Sequence, residues 1–203
     1  MKVMIRVIEY LHSNFPGQTS MPQWMTGLHS EVIRHDCPLF IKLFIIKLIL
    51  NRDEIFRPHA KQWSEVLINY CASKATGGKG FHYFLRDVCT TLLAWHSNGF
   101  VIEESLNNKK QCSEILTNLW KVACDKNPIL FKSNLKIIAG LMDKWKKNLF
   151  LDREILQKMA SFDEKKDDAK LWRMAALQVL DVALNLQIPV AKKESFQQND
   201  PVA

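Results

Sequence analysis

The chain has 203 residues, of which 47% are hydrophobic and 24% charged, so it can bury a sizeable core as one large domain or two small ones. Its net charge of +7 favours acidic partners such as nucleic acid, although lysines spread along a chain are also typical of solvated helix faces. Five cysteines without a CxxC pair argue against a dense disulfide framework and favour a reducing compartment, the nucleus or the cytoplasm.

Prolines separate the first predicted helices. The N-terminal helix carries charged residues among its apolar ones, and no small-residue cleavage site follows it, which argues against a signal peptide. Pro16-Gly17 ends this helix, Pro22 lies near the start of a second helix, and Pro38 opens a third.

The third predicted helix contains the apolar run FIKLFIIKLILN. Only about twelve residues separate Pro38 from Asn51, and they include Lys42 and Lys47, whereas a bilayer-spanning helix needs roughly 20 apolar residues. The run therefore predicts a short helix that neighbouring helices cover on most of its circumference, and we expect no membrane association.

Apolar stripes with helical spacing mark the fourth to seventh helices. Each stripe contains one tryptophan, and we expect these side chains in the seams between helices: Trp63, Trp95, Trp120 and Trp145. Pro58 fits the first turn of the fourth helix. The glycine turn 76–80 follows that helix, Asn98-Gly99 closes the fifth, and Asn127-Pro128 divides the sixth from the seventh.

The remaining sequence completes the predicted architecture. Asp152 can cap a short eighth helix, and Asp167 or Asp168 can cap a ninth that runs to about Gln187. No segment alternates with period two, so we expect no sheet. The sequence predicts an all-α, HEAT-like α-solenoid of about nine helices in antiparallel pairs over residues 1–188, followed by a loose tail, 189–203. A compact, non-repeating helical bundle is the alternative.

Motifs for catalysis, cofactors and metals are weak or missing. The chain lacks the Gly-rich strand loop and the HRD and DFG motifs of a kinase, so we expect no enzymatic activity. The TGGKG turn does not match a phosphate loop, although its backbone N–H groups are an alternative anion site. Cys89 and His82 lie about 10 Å apart along one helix, too far for a hydrogen bond. His35 with Cys37, and Cys89 with His96, do not supply four zinc ligands. We therefore predict no catalytic residue, no cofactor and no metal.

Five lysines on the long seventh predicted helix form a candidate basic face: Lys132, Lys136, Lys144, Lys146 and Lys147. Lys136 and Lys147 are about three helical turns apart and so share one side of a helix. Such a surface can follow a phosphate backbone. An ordinary solvated helix surface is the other interpretation of the same pattern.

Several motifs in sequence order give a specific resemblance. The run LFIKLFIIKLILNRDEIFRPHAKQW is followed by GGKGFHYFLRDV, by TLLAW and by LFKSNLKIIAGLMDKWKKNL. Together they resemble the DNA-dependent protein kinase catalytic subunit family, in the HEAT-type CC3 segment of the circular cradle upstream of the FAT and kinase domains. The resemblance is clearest over residues 39–150 and looser over 1–38 and 151–188.

This resemblance implies a scaffold segment and no active site. Family members are nuclear serine/threonine kinases that the Ku heterodimer recruits to DNA double-strand breaks for non-homologous end joining. The FAT, kinase and FATC regions have no counterpart in this sequence, so the resemblance implies a fragment. Its partners would be the rest of the kinase chain and, in the whole assembly, Ku and DNA ends, with no small-molecule substrate.

The resemblance also marks a set of structural positions, the signature residues: Arg57, Pro58, Lys61, Trp63, Gly77, Gly78, Gly80, His82 and Tyr83. We expect Pro58 to start a helix, Trp63 to face inward, and His82 to be a structural histidine rather than a titrating switch. Two alternatives stay open. The chain could act alone as a helical-repeat adaptor for a protein partner, or it could bind DNA through the basic face.

Overall fold

The computed structural model describes residues 1–15, 20–72, 81–101, 109–123, 128–151, 156 and 169–190. The chain divides into two compact units, residues 1–105 and residues 106–203. The predicted helical segment 1–188 therefore contains two units. Most of the predicted tail, residues 191–203, lies outside the described residues.

Helices form both units. The first unit contains α1 (Lys2–Asn14), α2 (Gln23–Ile33), α3 (Leu39–Asn51), α4 (Asp53–Phe56), the 3-10 turn Arg57–His59, α5 (Ala60–Ala72) and α6 (Phe81–Ser97). The second unit contains α7 (Lys109–Ala123), α8 (Pro128–Trp145), the 3-10 turn Lys146–Asn148 and α9 (Ala169–Asn185). The predicted caps Asp152, Asp167 and Asp168 lie outside the described residues, as does the predicted eighth helix apart from Leu156, which is helical.

The first unit is built from stacked helix pairs. Helix α2 packs on α3, and α5 packs on α6. The two pairs also contact each other in register, because α2 touches α5 and α3 touches α6, while α1 lies against α3. Contacts between the equivalent members of successive pairs are typical of a helical solenoid. This arrangement favours the HEAT-like prediction over the compact bundle.

Helices that follow one another along the chain also pack together in the second unit. The backbone N–H of Phe150, just after α8, donates to Oγ of Ser113 near the start of α7 at 3.3 Å, so α7 and α8 run antiparallel. Helix α9 packs on α8, and the N–H of Leu151 donates to the carbonyl of Pro189 at 2.9 Å, next to a single parallel β-bridge. The described residues contain no sheet, and the all-α fold class is confirmed.

Helix α3 is the apolar run, and its second half is buried. Ile45, Ile46, Leu48 and Ile49 lie on neighbouring positions around the helix and are at most 2% exposed. The first turn differs, because Phe40 is 71% exposed. The prediction of a covered helix is therefore confirmed for the last two turns only. Within the described residues, no helix is both long and apolar enough to span a membrane.

The predicted tryptophan seams are confirmed. Trp63 and Trp95 are fully buried in the first unit, and Trp120 and Trp145 are buried in the second. Each side chain removes about 150–250 Å² from water, so these residues dominate the apolar burial of their units. Large aromatic side chains at one position per helix fix which face of each helix points inward.

Two helices end in the same way with different residues. After α6, Gly99 has φ +73°, its N–H donates to the carbonyl of His96, and the N–H of Phe100 donates to that of Trp95. These bonds form a Schellman motif, and the glycine that ends the helix is the one that the sequence predicted. After α9, Gln187 takes the equivalent position with φ 55°, where its Cβ makes a left-handed backbone unfavourable.

Candidate functional site

Asp53 connects α4 to the C-terminal end of α6. One carboxylate oxygen accepts a hydrogen bond from the indole N–H of Trp95, and the other lies 3.8 Å from Nε of Arg57. The guanidinium of Arg57 also lies 5.3 Å from the centroid of the Phe100 ring, just beyond α6. A cation over an aromatic face is attracted by the ring quadrupole. The signature residue Arg57 therefore holds the 3-10 turn against the end of α6.

Arg52 makes a second connection, from the junction of α3 and α4 to α1. Its guanidinium pairs with the carboxylate of Glu9 on α1 and lies 3.6 Å from that of Glu54. The Arg52 side chain is 33% exposed, so solvent screens part of this attraction. The sequence patterns do not predict Arg52 or Asp53 as contact residues. The available signal was the cluster NRDE placed directly after an apolar run.

Trp63 is the centre of an aromatic cluster that joins α2, α4 and α5. Its ring meets Phe56 edge-on at a centroid distance of 5.4 Å and His29 at 5.1 Å. Trp24 on α2 meets Phe56 at 6.2 Å in the same edge-to-face manner. Edge-to-face pairs add about 0.5–1.5 kcal/mol each beyond the area they bury. The prediction that Trp63 faces inward is confirmed.

Pro58 and Lys61 lie on the outer side of this cluster. Pro58 is exposed and lies at the start of the 3-10 turn Arg57–His59, which runs directly into α5. Helix α4 precedes the turn, and α5 begins only at Ala60. A proline is tolerated there because the N–H it lacks would have no intrahelical partner. Lys61 is exposed on α5.

The other signature residues are only partly described. Gly77, Gly78 and Gly80 lie outside the described residues, together with the TGGKG turn. His82 and Tyr83 lie in the first turn of α6, as predicted, and their side chains are likewise outside the described part. The role of His82 as a structural histidine therefore stays a prediction.

The basic face divides into two parts. Lys132 and Lys136 are exposed on α8, whereas Lys146 and Lys147 lie in the 3-10 turn that follows it. The prediction that one helical side presents both Lys136 and Lys147 is wrong, because α8 ends at Trp145 and the chain then turns to bury Leu149. In between, Lys144 lies 3.5 Å from the carboxylate of its neighbour Asp143.

Two buried cysteines, Cys71 and Cys112, lie in surroundings that keep their thiols neutral. Burial is the main cause that raises the pKa of Cys112, to about 12. Burial, with a hydrogen bond to Cys89, raises the pKa of Cys71 well above its usual value. A thiol is a nucleophile only as the thiolate. Among the described residues, no group of three or more His, Cys, Asp or Glu side chains could hold a metal ion.

Comparison with known families gives this arrangement a context. A family model described as "DNA-dependent protein kinase catalytic subunit, CC3" matches residues 1–100. Residues 1–100 belong to the CC3 family. The matched range ends at residue 100, just after α6. It therefore contains α1 to α6 and the contacts of Asp53 and Trp63.

Curated relatives extend the similarity into the second unit. The DNA-dependent protein kinase catalytic subunit of Gallus gallus is 33% identical over 174 residues, which cover 83% of this chain and 4% of that protein. The subunit of Dictyostelium discoideum is 28% identical over 183 residues, or 88% of this chain and 4% of that protein. The Xenopus laevis subunit is 34% identical over 140 residues, or 67% of this chain. The chain spans about 4% of the length of the first two.

Proposed function

We propose that this chain is a scaffold segment of a DNA-dependent protein kinase catalytic subunit and acts in DNA double-strand break repair by non-homologous end joining. The match of residues 1–100 to the CC3 family is the observation that supports it most strongly. The similarity of most of the chain to about 4% of two curated subunits supports a role as one part of a much longer polypeptide.

The contacts of the signature residues support a structural role. Arg57 and Trp63 contact other elements of the same unit. Arg57 contacts Asp53 and Phe100, and Trp63 contacts Phe56 and His29. Side chains used in this way fix the angles between helices. In this proposal the chain is a structural part of the subunit, and phosphoryl transfer belongs to a kinase domain elsewhere in it.

Partners and location follow from the proposed assembly. The direct partner is the rest of the kinase chain, whose helical pairs continue the stacking seen in the first unit. The Ku heterodimer and DNA ends are partners of the whole assembly, which works in the nucleus. Binding of DNA by the basic face is a weaker candidate, because its lysines are divided between α8 and the following 3-10 turn.

A chimeric subunit tests the proposal. Residues 1–203 replace the matched segment of the chicken subunit, and the chimera is expressed in cells that lack their own subunit. We expect end joining and DNA-stimulated kinase activity within about threefold of the parent, because the scaffold geometry is retained. A matched chimera with Trp63→Ala should lose most of both. A soluble, Ku-associated chimera without activity would contradict the proposal.

A further inference from the structure

The second unit contains an apolar groove between α8 and α9 that its own described residues do not fill. Its volume is about 440 Å³. The floor is apolar and consists of Leu135, Ile138, Ala139, Met142, Val179 and Val182. Within the described part of the chain, the polar lining residues are exposed, so the groove is reached from solvent.

The two walls have the dimensions of a short helix-binding groove. On α8 the lining residues run from Lys132 to Met142, and on α9 they run from Met174 to Val182. At about 1.5 Å per residue, these stretches are about 15 Å and 12 Å long. A helix that offers apolar anchors at i, i+3 or i+4, and i+7 spans about 10.5 Å in two turns, so its anchors fit within this length.

Charge distinguishes the two ends of the groove. Helices α8 and α9 end beside each other, where Leu151 bonds to Pro189, so their first turns share the opposite end. Lys132 and Lys136 line the groove on the early turns of α8, and Asp181 lines it on the later turns of α9. Neither lysine has an ion-pair partner among the described residues. An occupant with carboxylates at the lysine end would therefore gain attraction and a fixed direction.

The floor favours a peptide helix over nucleic acid. A phosphate backbone gains binding affinity from lysines, but it gains none from the six apolar side chains beneath them. Met142 and Met174 are unbranched and polarizable, and such side chains adapt to the apolar anchors of peptide helices.

We propose that this groove binds an amphipathic helix of a partner protein, with its apolar face on the floor and Asp or Glu residues at the end beside Lys132 and Lys136. This interaction does not depend on the parent chain being a kinase subunit, so it can succeed or fail separately from the proposed function. It gives the second unit a recruiting role beside the packing role of the first.

Methyl NMR with two probe peptides tests this assignment. The probes are stapled helical peptides of about 15 residues with leucines at i, i+4 and i+7, one carrying two glutamates at its first turn and one carrying two lysines there. The 203-residue protein is labelled at its methionine methyls. We expect the glutamate peptide to shift Met142 and Met174, leaving the buried Met25 of the first unit unchanged. The lysine peptide should bind at least about tenfold more weakly.

Charge reversal provides the decisive variant. The double substitution Lys132→Glu with Lys136→Glu should weaken binding of the glutamate peptide by about tenfold or more. It should also strengthen binding of the lysine peptide. Lys2→Glu with Lys110→Glu is the matched control, because it changes the net charge equally at exposed residues that do not line the groove. Circular dichroism checks that both variants fold. Three results would overturn the proposal: no shift at either methionine, equal binding of the two peptides, or displacement of the glutamate peptide by duplex DNA at low salt.

Discussion

The two units use their charged residues differently. In the first unit, Arg52 and Asp53 pair with groups on α1 and α6, so polar contacts hold separate helices together. In the second unit, Lys132 and Lys136 stand beside an apolar groove without an ion-pair partner among the described residues. In the account proposed above, the first unit holds a shape and the second offers a surface to a partner.

Removing the centre of the aromatic cluster should give the largest effect on the first unit. Trp63→Ala should lower the free energy of unfolding of the first unit by about 3–5 kcal/mol, because it leaves a cavity between α2, α4 and α5. Urea unfolding followed by circular dichroism measures the change. Lys61→Ala, on the exposed side of the same helix, should stay within about 0.5 kcal/mol of the parent. Equal effects of the two substitutions would refute the role of Trp63.

Asp53 tests the polar contacts of the first unit. Asp53→Ala should lower the free energy of unfolding by about 2–3 kcal/mol, because Trp95 loses a buried acceptor and Arg57 loses its carboxylate partner. Asp53→Asn keeps an acceptor for the indole N–H and should cost about half as much. Thermal unfolding of the two variants separates the hydrogen bond from the ion pair. An Asn variant as unstable as the Ala variant would mean that charge alone matters.

Alkaline pH provides a test in the second unit. The pKa of Cys112 is raised by burial from 9.0 to about 12 in the folded state, so folding favours the protonated thiol. Its contribution is fully present below about pH 9 and is lost as the pH rises towards 12. We expect about 1–2 kcal/mol less stability at pH 10 than at pH 8 from this thiol. Cys112→Ala should reduce that slope, whereas an unchanged slope would exclude Cys112 as its source.

Substitutions at the ends of α6 and α9 should change the free energy of unfolding least, and in opposite directions. Gly99→Ala should destabilise by about 1 kcal/mol, because φ +73° is unfavourable with a Cβ even though open space surrounds it. Gln187→Gly should stabilise by about 0.5–1 kcal/mol, because it relieves the same strain after α9. Thermal unfolding measures both. A stabilised Gly99→Ala variant would show that the Schellman end contributes nothing.

Local patterns predicted the helices well because helix starts and stops depend on neighbouring residues. Pro22 and Pro38 immediately precede helices, Gly99 ends one, and Trp63 faces inward, all as the sequence indicated. Gln187 gave no such signal, because it occupies a position that glycine usually fills.

Contacts between distant parts of the chain could not be predicted in the same way. The hydrogen bond from Trp95 to Asp53 joins residues 42 positions apart, and no local periodicity encodes it. The end of α8 at Trp145 depends on the burial of Leu149 and Leu151 against the rest of the second unit. The groove likewise becomes visible only when α8 and α9 are placed side by side.

The size of the polypeptide that contains this sequence in cells tests the scaffold proposal most directly. An antibody against the chain isolates the native protein, and mass spectrometry identifies all of its peptides. The scaffold proposal predicts one very long polypeptide that also yields peptides of a kinase domain and that co-isolates with Ku. A stable product of 23.5 kDa, the mass of this chain alone, would contradict it.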